Sequence, residues 1–173
     1  MIEKDNLLIR QMTKDDFDIM VNWLNDKEVL EFYDELPSNL DRVKEKYGPR
    51  ITGNHYVTPC IVEYKNQPLG YIQYYEIQED DLKKYGYDSK QNIYGIDQFI
   101  GKPEMWGRGI GTLMVGLMLN FLQSKGAEKV VLDVRNNNIR AIKSYEKCGF
   151  KKIKKLNNEL DLMEFDSSSE LSK

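Results

Sequence analysis

The chain has 173 residues, 40% of them hydrophobic and 31% charged, with a net charge of −3, the balance of one water-soluble globular domain. No apolar run reaches the ~18 residues of a membrane span, and the opening MIEKDNLLIRQM lacks the apolar core and cleavage site of a secretory signal, so the expectation is a cytoplasmic protein with no membrane partner. A pI near 5.4 argues against broad nucleic-acid binding, and a single histidine, His55, excludes the usual histidine triads and a histidine-rich zinc site. Cys60 and Cys148 are far apart with no CxxC pair and read as reduced thiols, so no metal is expected. Chemistry here must come from carboxylates, tyrosines, backbone dipoles or a cofactor.

In chain order, residues 7–12 read as a short strand. Thr13 followed by Lys14-Asp15-Asp16 is a helix start, and Phe17, Met20, Val21 and Leu24 recur at helical spacing behind it. A second helical piece is predicted over 28–33, LPSN interrupts it, and 40–47 forms another; 48–56 reads as loop. Strands over 57–64 and 69–77 are joined by KNQP as a hairpin turn. A polar excursion follows, then a strand over 93–100 and an amphipathic helix over 109–124. KVVLDV at 129–134 is a near-continuous apolar strand; Asn136–Asn138 caps a helix that runs to Cys148 and is ended by Gly149. Strands over 150–156 and 159–165 close a single α/β domain with one sheet, residues 1–166, and 167–173 reads as a frayed polar tail.

The strongest chemical signal is FIGKPEMWGRGIGT. Gly107, Gly109 and Gly111 alternate between an apolar strand and a helix, where unpaired N–H groups and the helix dipole favour an anion such as a pyrophosphate. Arg108 either adds charge there or faces solvent, and glycines that merely allow close packing are the plain alternative. The P-loop pattern is absent, and GxGxG after a late strand is not the Rossmann arrangement. In NNNIRAIKSYEKCGF, Asn138, Ala141 and Tyr145 fall on roughly one helix face.

Together these motifs resemble the GNAT superfamily of N-acetyltransferases: Gly109-Ile110-Gly111 matches its GxG at a helix start, and Asn138, Ala141, Tyr145 and Gly149-Phe150 match its NxxAxxxYxxxGF. The resemblance implies a GNAT-like α/β fold, a single mixed, mostly antiparallel sheet flanked by helices, with acetyl-CoA as acetyl donor. The superfamily's Gln or Arg three residues before the first glycine is here Trp106. A narrower resemblance, carried by WLNDKEVLEFY, YGIDQFIG, WGRGIGT and RAIKSYEKCGF, is to aminoglycoside 6′-N-acetyltransferases, in particular the acetyltransferase half of the bifunctional Gram-positive resistance enzymes. LDVRNNN departs from that group's Asp-Pro.

By that resemblance Asp97 binds the reacting amine and takes its proton, or only anchors it, and Tyr145 protonates the leaving thiolate, or is a core aromatic. The cofactor contacts implied are Phe99 and Ile100 through backbone N–H groups, Trp106, Gly107, Arg108, Gly109, Ile110, Gly111, Thr112, Asn138, Ala141 and Tyr145. Asn138 is equally a helix cap. Trp23, Tyr33 and Tyr74 line the sugar site or simply pack. Residues 1–100 carry 12 Lys/Arg against 19 Asp/Glu, and residues 101–173 carry 13 against 9. The acidic half, with Glu76, Glu79, Asp80 and Asp81 close in sequence and Asp97 and Asp133 on strands, suits a small polycationic amine. The basic half, Arg140 through Lys155, suits a cofactor bearing phosphates; solvated faces are the plain reading of both. The expected partner is thus an aminoglycoside, and a homodimer is kept open. A GNAT acting on a protein N-terminus or a polyamine, and a catalytically silent CoA-binding module, stand as the other readings.

Overall fold

The computed structural model describes residues 2–170. Its eight strands, β1 (Ile2–Lys4), β2 (Leu7–Gln11), β3 (Thr58–Tyr64), β4 (Gln67–Glu76), β5 (Ile93–Ile100), β6 (Lys129–Arg135), β7 (Lys151–Lys155) and β8 (Leu160–Asp166), form one sheet in the order β1-β2-β3-β4-β5-β6-β8-β7. Every neighbouring pair is antiparallel except β5–β6. Helices α1 (Phe17–Trp23), α2 (Lys27–Phe32), α3 (Leu40–Ile51), α4 (Glu79–Tyr85), α5 (Ile110–Ser124) and α6 (Ile139–Lys147) flank it.

Strand alternation sends each strand's side chains to two different cores. On one face Ile72, Ile96, Val130, Leu132 and Met163 pack against Met114, Met118 and Leu122 of α5 and Tyr145 of α6. On the other, Ile61, Tyr71 and Phe99 pack against Met20, Trp23, Val43 and Tyr47 of α1 and α3, while Ile77, Ile93 and Val131 sit under Leu82 of α4. Among the described residues no helix is long and apolar enough to cross a membrane.

Five local features differ from the sequence expectation. A short β1 precedes β2, turned by Asp5 and Asn6 at positive φ. The β3–β4 turn is Lys65-Asn66, both left-handed (φ 50° and 62°), so the strand resumes at Gln67 and includes Pro68. Helix α3 continues through Gly48 and Pro49 to Ile51, because buried Val43 and Tyr47 hold its axis against the sheet and outweigh the one hydrogen bond a proline removes. The polar excursion contains α4, whose single buried residue, Leu82, gives no periodic signal; Gly86 at φ 83° ends it. Ser167–Glu170 forms a short 3-10 turn tied down by the Ser167 hydroxyl donating to the Ala127 carbonyl (2.8 Å), where fraying was expected; residues 171–173 lie outside the described residues.

Candidate active site

The one parallel contact in the sheet makes the site. β5 and β6 pair only at Ile93↔Lys129, Tyr94↔Val130 and Gly95↔Val131, while β5 stays on β4 as far as Gly70↔Ile100 and β6 stays on β8 as far as Arg135↔Leu160. Beyond Gly95 the two strands part. Gly101 N–H donates to the Leu69 carbonyl on the β4 side (2.8 Å); by alternation the backbone of Phe99 also faces β4, opposite Tyr71, whereas Ile96, Gln98 and Ile100 turn theirs to the split. The backbone donors expected at Phe99 and Ile100 are therefore Gln98 and Ile100; Phe99 contributes its ring. A cavity of about 560 Å³ fills the split and connects the two faces of the sheet.

On the α5–α6 side the wall is a helix N-terminus. Gly109, at φ 79°, is the N-cap of α5 and, having no side chain, leaves the first N–H groups of the helix without a side-chain acceptor; Gly107 is also left-handed (φ 73°). Gly107, Gly109, Gly111 and Thr112 line the cavity, and the Thr112 and Ser144 hydroxyls bond each other (2.7 Å), fixing α5 against α6. Ile110 is buried in the core beneath and Arg108 points to solvent, so neither side chain lines the cavity. Trp106 donates from its indole to the Ile100 carbonyl (3.0 Å) and carries the Arg140 guanidinium 3.9 Å above its ring. Asn138 caps α6, accepting from Ala141 N–H (3.3 Å), and both residues line the cavity. Tyr145 is buried, which pushes its phenol above the ordinary value; its oxygen accepts from the Gln98 amide, which leaves the hydroxyl proton unspent, and buried Gln98 Oε1 has no partner.

On the other face Asp97 enters the cavity with Tyr33 and Asp133 beside it. Burial first, then the nearby Asp97 and Asp34 carboxylates, raise the Asp133 pKa to about 6. Asp133 is open to the cavity yet walled around, so its water is thinned rather than removed. Burial, helped by Asp97, likewise pushes the Tyr75 phenol well up; its ring lies across Gly95, where a Cβ would meet it at 2.5 Å.

Five residues expected at the substrate site line no part of this cavity. Trp23 packs beneath Gly101 and edge-on to Phe99. Tyr74 points to the α5 face, against Phe121 and Tyr94. Glu76 accepts from the Tyr94 hydroxyl (3.3 Å), and Glu79 and Asp80 are exposed on α4, Glu79 paired with Lys83. The acidic wall is instead supplied by Glu28, Asp34 and Glu35 from α2 and the segment after it, with Asp34 paired to Arg135 (3.5 Å) and Glu35 to Lys46, while Arg140, Lys143 and Lys147 line the α6 side. The charge division in the sequence thus has a location, although α2 and not the 76–81 loop provides its acidic part. The run KEVLEFYDE carried that signal as four carboxylates around an aromatic pair, without saying which way they face.

Residues 12–158 match the family model of the acetyltransferase (GNAT) domain. The chain belongs to the GNAT acetyltransferase family. An aminoglycoside N(6′)-acetyltransferase type 1 of Klebsiella pneumoniae is 30% identical over 151 residues, covering 86% of this chain and 75% of that protein. Among solved structures, aminoglycoside acetyltransferase AAC(6′)-Ib in complex with coenzyme A and kanamycin superposes with a TM-score of 0.79 at 25% identity, covering 96% of this chain and 98% of that one. A spermine/spermidine N(1)-acetyltransferase of Bacillus subtilis is 28% identical over 108 residues, 62% of this chain and 65% of that protein. As a GNAT enzyme it uses acetyl-CoA as donor, and solved relatives include complexes with coenzyme A and with acetyl-CoA.

Proposed function

We propose that the protein acetylates the 6′-amine of aminoglycosides by direct transfer in a ternary complex in the cytoplasm. One observation carries this reading: one cavity has four carboxylates, Glu28, Asp34, Glu35 and Asp133, around Asp97 on one face of the sheet, and free helix N–H groups with the basic side chains of α6 on the other. Such a division recruits a polycation and a polyanion to opposite sides of one split. The 30% identity to an aminoglycoside N(6′)-acetyltransferase supports the substrate class.

The residues present fit acetyl-CoA. The α5 N-terminus with Gly107 and Gly109 suits a pyrophosphate. The unpaired β5 edge at Gln98 and Ile100, the orphaned Gln98 Oε1 and Asn138 suit the amides of a pantetheine arm. Lys143 and Lys147 extend the basic wall outward along α6. When bound, the cofactor supplies an activated acetyl group as a thioester.

Asp97 binds the incoming ammonium and receives a proton from it, directly or through water, so that the neutral amine reacts. The backbone N–H groups of Gln98 and Ile100 offer positive ends of dipoles to developing negative charge in the split. Tyr145, whose burial keeps its phenol protonated, donates a proton to the departing sulfur. Much of the rate comes from holding the two reactants in register, and no nucleophilic side chain is needed. Cys148 does not serve as one: burial pushes its thiol up to about 11 and it bonds the Thr112 carbonyl.

The deciding assay is thiol release from acetyl-CoA with kanamycin, spermine and an N-terminal peptide as acceptors, and mapping of the product by NMR. Rapid turnover of kanamycin at its 6′-amine supports the proposal; preference for spermine or peptide replaces it, and acetyl-CoA binding without turnover on any amine makes the protein a silent CoA-binding module. Sedimentation of the same sample reports whether the working unit is a homodimer. Two further outcomes are expected. Tyr145→Phe, which keeps the aromatic packing on Phe150, lowers kcat by about 10- to 100-fold with the acetyl-CoA KM within a factor of two or three; an unchanged kcat returns Tyr145 to a packing role. Because Asp133 ionises only above about 6, the kanamycin KM falls as pH rises from 5 to 7, and this part of the pH dependence flattens in Asp133→Asn.

A further inference from the structure

We infer that Gln73 is a positioning residue for Asp97, and that Arg50 acts on Asp97 only through it. The inference rests on the reading of Asp97 as the amine-binding carboxylate. Three side chains from three elements, α3, β4 and β5, converge on the Gln73 amide, which is buried: Arg50 Nη1 donates to Oε1 (2.8 Å), the Tyr71 hydroxyl donates to the same oxygen (2.7 Å), and Nε2 donates to Asp97 Oδ2 (2.7 Å).

The chemistry of the outer partners allows one orientation of that amide. A guanidinium can only donate and an ionised carboxylate can only accept, so the atom facing Arg50 is the oxygen and the atom facing Asp97 is the nitrogen. Turning the amide over would set N–H against N–H at one end and oxygen against oxygen at the other. The Tyr71 hydroxyl, two residues back on the same strand face, occupies the second acceptor position of the oxygen. Asp97 Oδ2 is thereby held, the Tyr75 phenol is the carboxylate's other neighbour, and Oδ1 is the oxygen assigned to the substrate ammonium.

The interposed amide also has an electrostatic purpose. An arginine placed directly on Asp97 would occupy the carboxylate with a permanent cation and compete with the substrate for it. With Gln73 between them, Arg50 transmits orientation while its charge stays one side chain away. The fold makes a specific provision for this: Arg50 lies in the last turn of α3, beyond Pro49, in the part of the helix that the sequence reads as loop. Its guanidinium lies 5.4 Å from the centre of the Tyr47 ring, and that ring packs edge-on to Tyr71.

Gln73→Met, similar in volume and unable to donate, is expected to lower kcat on the order of 10- to 100-fold with the acetyl-CoA KM close to wild type; the thermal midpoint falls as well, because the Arg50 and Tyr71 donors lose their acceptor. Gln73→Glu removes the same N–H at equal size and should lower kcat at least as far. Arg50→Met lowers kcat in the wild-type background but adds nothing to Gln73→Met, because both act on one carboxylate through one bond. A crystal structure of the Gln73→Met variant should show Asp97 in a different or mixed rotamer. Unchanged kcat in Gln73→Met, rate losses that multiply in the double variant, or an undisturbed Asp97 rotamer would each overturn the inference. Absence of turnover by the wild-type protein on kanamycin, spermine and peptide sinks the functional reading instead, and the Asp97 rotamer still decides this one.

Discussion

Asp97→Asn is expected to lower kcat/KM for kanamycin by about 10²- to 10³-fold while acetyl-CoA binds as before. The substitution keeps the shape of the side chain and an oxygen for Gln73 Nε2 to donate to, so the scaffold behind it need not move. What it removes is the negative charge that recruits the ammonium and the group that takes its proton. The acetyl-CoA side is assembled from different parts, the α5 N-terminus and the free edge of β5, which the change does not touch. Steady-state kinetics on the acceptor and calorimetric titration with acetyl-CoA separate the two effects. Retained turnover would show that Asp97 neither anchors nor deprotonates the amine, and attention would pass to Asp133 and the α2 carboxylates.

The largest loss of stability is expected from Arg10→Met. Arg10 on β2 forks onto both oxygens of Asp16 (2.8 and 2.9 Å) and reaches Glu63 on β3 (2.7 Å), tying the start of α1 to two strands. Asp16 also accepts from Thr13 N–H (2.7 Å) and is nearly inaccessible, so removing the cation strands a buried carboxylate. The cost is about 3 kcal/mol, which for a domain of this size lowers the melting temperature by about 6–12 °C. Its pH dependence follows from the direction of the Asp16 shift. Burial by itself would raise that pKa, but the hydrogen bonds from Arg10 and Thr13 reverse this and hold it below the ordinary 3.8. A carboxylate with a depressed pKa stabilises the fold above its unfolded value and loses that contribution as pH falls through the folded one. The gap between wild type and variant should therefore be full near neutrality and narrow below pH ~4. A gap that stays constant into acid would mean that Arg10 contributes packing and not charge.

How much of this was legible beforehand differs from element to element for physical reasons. β5 and α5 are bounded within a residue because Ile93–Ile100 and Ile110–Ser124 are buried along much of their length and carry clear periods. The capping role of Asn138 and the stop at Gly149 were readable because caps and left-handed glycines are local chemistry. Helix α4, with one buried residue, and the end of α3 beyond Pro49 were not, since their conformation is stabilised by contacts with distant strands.

At the site, the sequence by itself determined the family and the cofactor, because the glycine turn and the motif on α6 are contiguous in the chain and their chemistry depends on backbone conformation near them. Only the tertiary structure decided which carboxylates share the cavity. Charge is a property of composition, but whether a side chain faces the split depends on where its element packs: α2 turns Glu28 toward it and leads Asp34 and Glu35 to its wall, whereas α4 leaves Glu79 and Asp80 in solvent. The parting of β5 from β6, the choice of Gln98 over Phe99 as backbone donor and the meeting of Arg50, Gln73 and Asp97 likewise depend on register between strands and helices far apart in sequence, which no local pattern encodes.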